Sequence, residues 1–230
     1  MSDDRFYLPP GNPDRPLQGL TVLVVEDSRF ASEAIRLLSI RSGARIRRAD
    51  SLAAAHRHLA VYRPSVVIVD IGLPDGSGTD LIAELARARP RVPAILGMSG
   101  DPEAEPAARA AGADAFLAKP VESLAWFQQA LLAALPGGVL PSGPRAVSGD
   151  RILPDPVALA DDLHHVAEML RGDGSGARAY IAQLLSGLAI SAHDPALAAA
   201  AGQLALSGAE GARRRVVDLV EERLSRAQAV

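Results

Sequence analysis

Ser65-Val66-Val67-Ile68-Val69-Asp70 is the stretch on which the fold turns. Consecutive β-branched residues without alternating polarity describe a strand buried on both faces, the pattern of a parallel sheet covered by helices, and the run stops on a carboxylate. Upstream, the apolar run 20–25 also stops on acids, Glu26 and Asp27, and a helical pattern with Phe30, Ala34 and Leu37 on one face follows. Between these two strands, 44–49 can form another, and Leu52, Ala55, Leu59 and Tyr62 mark a helix face.

Downstream of Asp70 the unit repeats. A loop with Pro74, Gly76 and Gly78 leads to a helix at about 79–88, and the strand 94–98 ends at Ser99. Asp101-Pro102 opens a helix that Gly112 closes, following N-cap, first-turn proline and C-cap glycine preferences. The fifth strand, 113–118, runs into Lys119-Pro120 and then a helix carrying Leu124, Phe127, Leu131 and Leu135. Five strands alternating with five helices predict an α/β doubly wound domain over residues 20–135.

The flanks have a different character. Residues 1–19 carry Pro9, Pro10, Pro13 and Pro16, which predicts a flexible tail outside any repeating element, and 136–153, with five glycines or prolines within 137–144, reads as a linker. From 154 to 230, apolar residues fall at helical spacing in four segments, two of them opened by Asp155-Pro156 and Asp194-Pro195, which predicts a small all-α bundle.

Composition bounds the function. The chain has 230 residues, 48% of them hydrophobic but only 3% aromatic, so its core rests on Leu, Ile, Val and Ala. Lys+Arg 24 against Asp+Glu 27 gives a formal charge of −3, no overall reason to expect nucleic acid or an anionic membrane. Cysteine is absent, which removes disulfides and thiolate metal sites. The N-terminal stretch lacks the long apolar run of a signal peptide or anchor, and a cytoplasmic protein is expected.

The chemistry-bearing residues lie at strand ends, where ligands of open parallel sheets gather. Glu26 and Asp27 follow the first strand, Asp70 the third, Ser99 the fourth and Lys119 the fifth. If the first and third strands are neighbours, three carboxylates converge, and such a cluster calls for a hard divalent cation. One carboxylate could then attack a phosphoryl group while Lys119 neutralises its oxygens and Ser99 donates a hydrogen bond.

Residues 20–135 resemble the receiver domain of two-component response regulators. The resemblance is carried by Val24-Val25-Glu26-Asp27, Asp70 with Leu73-Pro74 and Gly76, Met98-Ser99-Gly100, and Lys119-Pro120, in order and each at a strand end. It implies a flavodoxin-like sheet of order 2-1-3-4-5. It also implies Asp70 as phosphoacceptor, with Mg2+ or Mn2+ held by Asp27, by Asp70, by Glu26 mainly through water and by the Gly72 carbonyl. Ser99 and Phe116 would be the switch pair, Lys119 the phosphate's cation, and the bond before Pro120 would be cis. The partners implied are a sensor histidine kinase or phosphotransfer protein upstream and a protein partner or a second copy downstream, and the chain would not be an enzyme beyond its own phosphorylation and slow dephosphorylation.

Three other readings stand beside this one. A DNA-binding regulator would use the Arg213-Arg214-Arg215 cluster, although the C-terminal segment is not basic overall. A phosphorelay protein would use a histidine of the bundle, yet the phosphotransfer string His-x-Leu-Lys-Gly is missing around His164, His165 and His193. A haloacid-dehalogenase-like phosphatase would carry Asp-x-Asp after its first strand, which this chain does not.

Overall fold

The computed structural model describes residues 14–136, 149–172, 178–207 and 210–227. Five parallel strands form one sheet: β1 (Thr21–Val25), β2 (Arg45–Ala49), β3 (Val66–Asp70), β4 (Ala94–Ser99) and β5 (Ala115–Ala118), in the order β2-β1-β3-β4-β5. This is the flavodoxin-like order, with β1 beside β3 in the register Val25↔Val69. Side chains alternate between the two faces. Val24, Ile68 and Leu96 pack under α1 (Arg29–Arg41) and α5 (Leu124–Ala134), while Leu23, Val67 and Ile95 pack under α2 (Leu52–Val61), α3 (Gly78–Arg87) and α4 (Glu105–Ala111).

Four helices of the α/β domain start where a serine side chain takes over an orphan N–H group. Ser28, Ser51, Ser77 and Ser123 cap α1, α2, α3 and α5 in turn. The helix expected from Asp101-Pro102 to Gly112 begins as a 3₁₀ turn, Pro102–Ala104, capped by Asp101. It continues as α4 and stops at Gly112, whose φ of 110° is left-handed and suits glycine.

Two boundary expectations need correction. Leu17, read as part of the tail, is fully buried in the core of the α/β domain and its N–H bonds Ser42 O at 2.9 Å. Apolar burial here outweighs the proline-rich composition around it. Ile152, read as linker, is buried in the same cluster, and its N–H bonds Glu122 O at 2.9 Å. The remaining parts of both stretches, 1–13 and 137–148, lie outside the described residues.

The C-terminal segment forms α6 (Pro156–Arg171), α7 (Arg178–Ser191), α8 (Pro195–Leu206) and α9 (Glu210–Ala227). Helix α6 packs mainly on α9 and α7 on α8, around Leu163, Val166, Leu185, Leu188, Leu204 and Val220. Phe30 of α1 belongs to this same cluster, so the bundle is seated on the α/β domain. No described helix is long and apolar enough to cross a membrane.

Candidate functional site

Because β1 and β3 are adjacent and parallel, their C-terminal ends deliver Glu26, Asp27 and Asp70 to one place. Each offers a carboxylate oxygen, and the three oxygens lie within 4.8 Å of one another. Lys119, brought in by the turn after β5, sets its Nζ 2.7 Å from Glu26 Oε2 and 3.2 Å from Asp70 Oδ1. The peptide bond from Lys119 to Pro120 is cis. Glu26 and Asp70 are buried.

The electrostatics follow from that crowding. Burial, with Asp70 beside it, pushes the Glu26 carboxyl well above its usual range, against the pull of Lys119. Burial likewise raises Asp70, opposed by Lys119 and reinforced by Asp27. Burial works against the Lys119 ammonium too, yet Asp70 and Glu26 outweigh it and hold its pKa above the ordinary lysine range. Three acids facing one ammonium leave an excess of negative charge in a low-dielectric place, which an oxygen-preferring divalent cation would offset. The donor set therefore fits such an ion.

The other residues singled out in the sequence fall around this centre. Ser99 is buried at the end of β4, and its Oγ accepts the Asp101 N–H at 3.1 Å. Ser99, Gly100, Asp101 and Lys119 share with Asp70 a cavity of about 270 Å³. Gly72 follows Asp70 in a two-residue ladder, Gly72 opposite Ser77. Phe116 is buried in the core beneath α3 and α4, opposite Gly97 on β4, and stands away from the cavity over Asp70. The carbonyl oxygen of Asp70 lies 1.9 Å from where a Cβ on Gly78 would sit, so glycine at the start of α3 is what lets β3 end there.

The bundle supplies residues that sequence reasoning missed. Tyr180 of α7 donates its hydroxyl hydrogen to Asp27 Oδ2 at 2.5 Å, and burial together with the Asp27 charge pushes its pKa far up. Asp162 of α6 accepts from Ser28 Oγ at 2.8 Å, Arg29 N–H at 2.9 Å and Phe30 N–H at 3.0 Å, so it serves the start of α1. The side chain of Gln183 occupies the space a Cβ on Gly72 would need, and the cavity above Asp70 is closed on its far side by small residues such as Ala182, Ser186 and Gly187 of α7. Signals existed in hindsight: an acid at 162 among Leu159, Leu163 and Val166, and an aromatic at 180 in a bundle nearly free of them.

The histidines and arginines sort differently. His164 and His165 line a separate cavity that also touches Asp27, whereas no imidazole lines the cavity over Asp70 among the described residues. His193 pairs with Glu122 at 2.6 Å. Arg213 donates to the carbonyls of Leu170 and Gly172 at the end of α6, a helix-terminal contact, while Arg214 and Arg215 are exposed.

Comparison with known proteins gives the family. A profile of the response regulator receiver domain matches residues 22–130. The Probable transcriptional regulatory protein TcrX of Mycobacterium tuberculosis is 34% identical over 143 residues, 59% of each chain. The KDP operon transcriptional regulatory protein KdpE of Escherichia coli is 36% identical over 100 residues, 43% of this chain and 44% of that one. These matches therefore span about half the length of the curated relatives. A solved response regulator protein from Burkholderia pseudomallei, with a phosphorylated aspartic acid, calcium ion and citrate, is 30% identical, with a TM-score of 0.43 over 52% of this chain and 68% of that one. The region that builds the carboxylate cluster, residues 22–130, belongs to the response regulator receiver domains.

Proposed function

We propose that the chain is a response regulator of two-component signalling that takes a phosphoryl group onto Asp70 from a histidine kinase or phosphotransfer protein and passes the state to its helical C-terminal domain. The observation that supports this most directly is Asp70 sitting beside two further carboxylates with Lys119 Nζ at 3.2 Å. Asp27, Asp70, the Gly72 carbonyl and, through water, Glu26 would hold Mg2+ or Mn2+, which when bound screens the charge of an incoming phosphoryl group.

The protein's own part is nucleophile and counter-charge. An Asp70 Oδ attacks phosphorus, the bond from phosphorus to the donor's imidazole nitrogen breaks, and the imidazole leaves with its electron pair and takes up a proton. Lys119, fully charged beside these acids, then pairs with phosphoryl oxygens, and Ser99 offers its hydroxyl from the same cavity. Exchanging the Asp101 N–H for a phosphoryl oxygen would move Ser99, and Phe116, opposite Gly97 on the adjacent strand, would turn in response. Asp101, at the mouth of that cavity, would set how water reaches the acyl phosphate. No substrate other than the chain itself is turned over in this reading, and the protein acts in the cytoplasm.

Acetyl phosphate with Mg2+ should give one hydroxylamine-sensitive phosphoryl group per chain, lost in Asp70→Asn. Labelling that persists in Asp70→Asn removes the proposal. The names of the relatives favour a second reading, in which the helical domain contacts DNA through Arg214 and Arg215 of α9. A salt-dependent gel shift that weakens in Arg214→Ala with Arg215→Ala would support it.

A further inference from the structure

The bundle is seated on the face of the receiver that carries Asp70. Four contacts fix it there. Tyr180 takes Asp27 Oδ2, Asp162 takes the first N–H groups of α1, Phe30 enters the bundle core, and Ile190 lies 2.9 Å from where a Cβ on Gly100 would stand. Helix α7 thereby lies across the cavity that holds Asp70 and Lys119, with Ala179, Ala182, Gln183, Ser186 and Gly187 along its lining.

The contact at Asp27 bears on the cation. Asp27 Oδ1 accepts the Ser28 N–H at 3.1 Å and Oδ2 the Tyr180 hydroxyl, so both oxygens already receive protein donors. A hydroxyl hydrogen directed at Oδ2 carries positive charge into the place where a divalent ion would draw on the same lone pairs, and it lowers the field the ion would feel. Removing the hydroxyl frees Asp27 without altering the trio of carboxylates.

Building on the receiver reading above, we infer that the C-terminal bundle is an intramolecular cap on the acceptor site and that Tyr180 is its positioning residue. Docking of α7 and binding of a divalent cation at Glu26, Asp27 and Asp70 oppose one another. A cation bound at the carboxylates displaces the Tyr180 hydroxyl and loosens the bundle, and that opens the approach for a protein donor. By linkage, the factor by which a bound cation weakens docking equals the factor by which docking weakens cation binding.

The test uses the full chain and Mg2+ alone. Calorimetric titration should show Mg2+ binding about three- to tenfold tighter in Tyr180→Phe, which keeps the ring and removes only the hydroxyl, and tighter also in Asp162→Ala, which releases α6 by a route that does not touch the ion. Saturating Mg2+ should speed hydrogen exchange at the Arg29 and Phe30 amides, the donors to Asp162. Equal Mg2+ affinity in the wild type and in both variants, with binding lost in Asp27→Asn, overturns the cap and leaves the receiver reading intact. Slowed exchange at those amides overturns it as well. Absence of Mg2+ binding in every one of these proteins overturns both.

Discussion

The carboxylate of Asp162, midway along α6, accepts the backbone N–H of Phe30 at 3.0 Å, and the Phe30 ring in turn sits in the bundle core. One residue of the receiver is thus held at its backbone by the bundle's charge and at its side chain by the bundle's apolar interior. Both links lie one turn from the acid pair at 26 and 27.

Asp162→Ala should therefore uncouple the two halves before it unfolds either. The part-buried N–H of Arg29 and the buried N–H of Phe30 lose their acceptor, which costs about 1–3 kcal/mol, comparable to loss of a strong helix cap. Differential scanning calorimetry should show one transition in the wild type and two in the variant, the receiver melting near its original temperature. A single transition shifted as a whole would mean that the contact serves only overall stability.

Divalent cation should stabilise the protein through the carboxylates alone. At a concentration one hundred times its dissociation constant, a ligand bound only to the native state adds about 2.7 kcal/mol. Urea unfolding with and without Mg2+ should show a gain of that order in the wild type, and none in Asp27→Asn. Chelation by EDTA should return the wild type to its metal-free midpoint.

Two glycines near Asp70 should respond in opposite ways. A Cβ at Gly78 meets the backbone carbonyl of Asp70 at 1.9 Å, which cannot step aside, whereas a Cβ at Gly72 meets only the far end of the Gln183 side chain. Gly78→Ala is expected to cost about 1–3 kcal/mol through overpacking and to displace the acceptor, so that acetyl phosphate labelling falls at least tenfold. Gly72→Ala should leave stability nearly unchanged as Gln183 swings away. Equal losses in the two variants would show that the backbone beside Asp70 yields more readily than this geometry allows.

The receiver was legible because its signals are local. The short run 66–69, all β-branched and followed by a loop with Pro74 and Gly76, reads as a doubly covered strand, and the sequence then names the residue at its end. Glu26, Asp27, Asp70, Ser99 and Lys119 meet because the strand order β2-β1-β3-β4-β5 places those ends together, and that order was implied by the resemblance to receiver domains, since hydrophobic period alone leaves open which strands are neighbours. Tyr180 and Asp162 were not legible, because their role depends on how one domain lies on another, and helical periodicity reports only which face is buried and not against what. Leu17 shows the same limit on a smaller scale: one leucine among prolines carries no period, yet it fills the core.

Within the bundle, Asp194 and Arg223 form the ion pair that should govern acid sensitivity. Burial works against ionisation of Asp194, but the Arg223 guanidinium at 2.8 Å and the Leu197 N–H at 3.0 Å outweigh it and hold the carboxyl below its ordinary value of 3.8. A depressed carboxyl contributes stability that is present above its unfolded value and lost as pH falls through the lower, folded one. Arg223→Ala should thus destabilise α8 and α9 by about 1 kcal/mol at neutral pH, since the pair is largely shielded from water and joins a helix cap. The deficit should shrink as pH drops below 3.8, where Asp194 becomes protonated in the unfolded wild type and then in the folded one. Helix content followed by far-ultraviolet circular dichroism across a urea series at each pH measures it, and a deficit that stays constant down to the acid limit would assign the effect to Arg223 packing rather than to the charge pair.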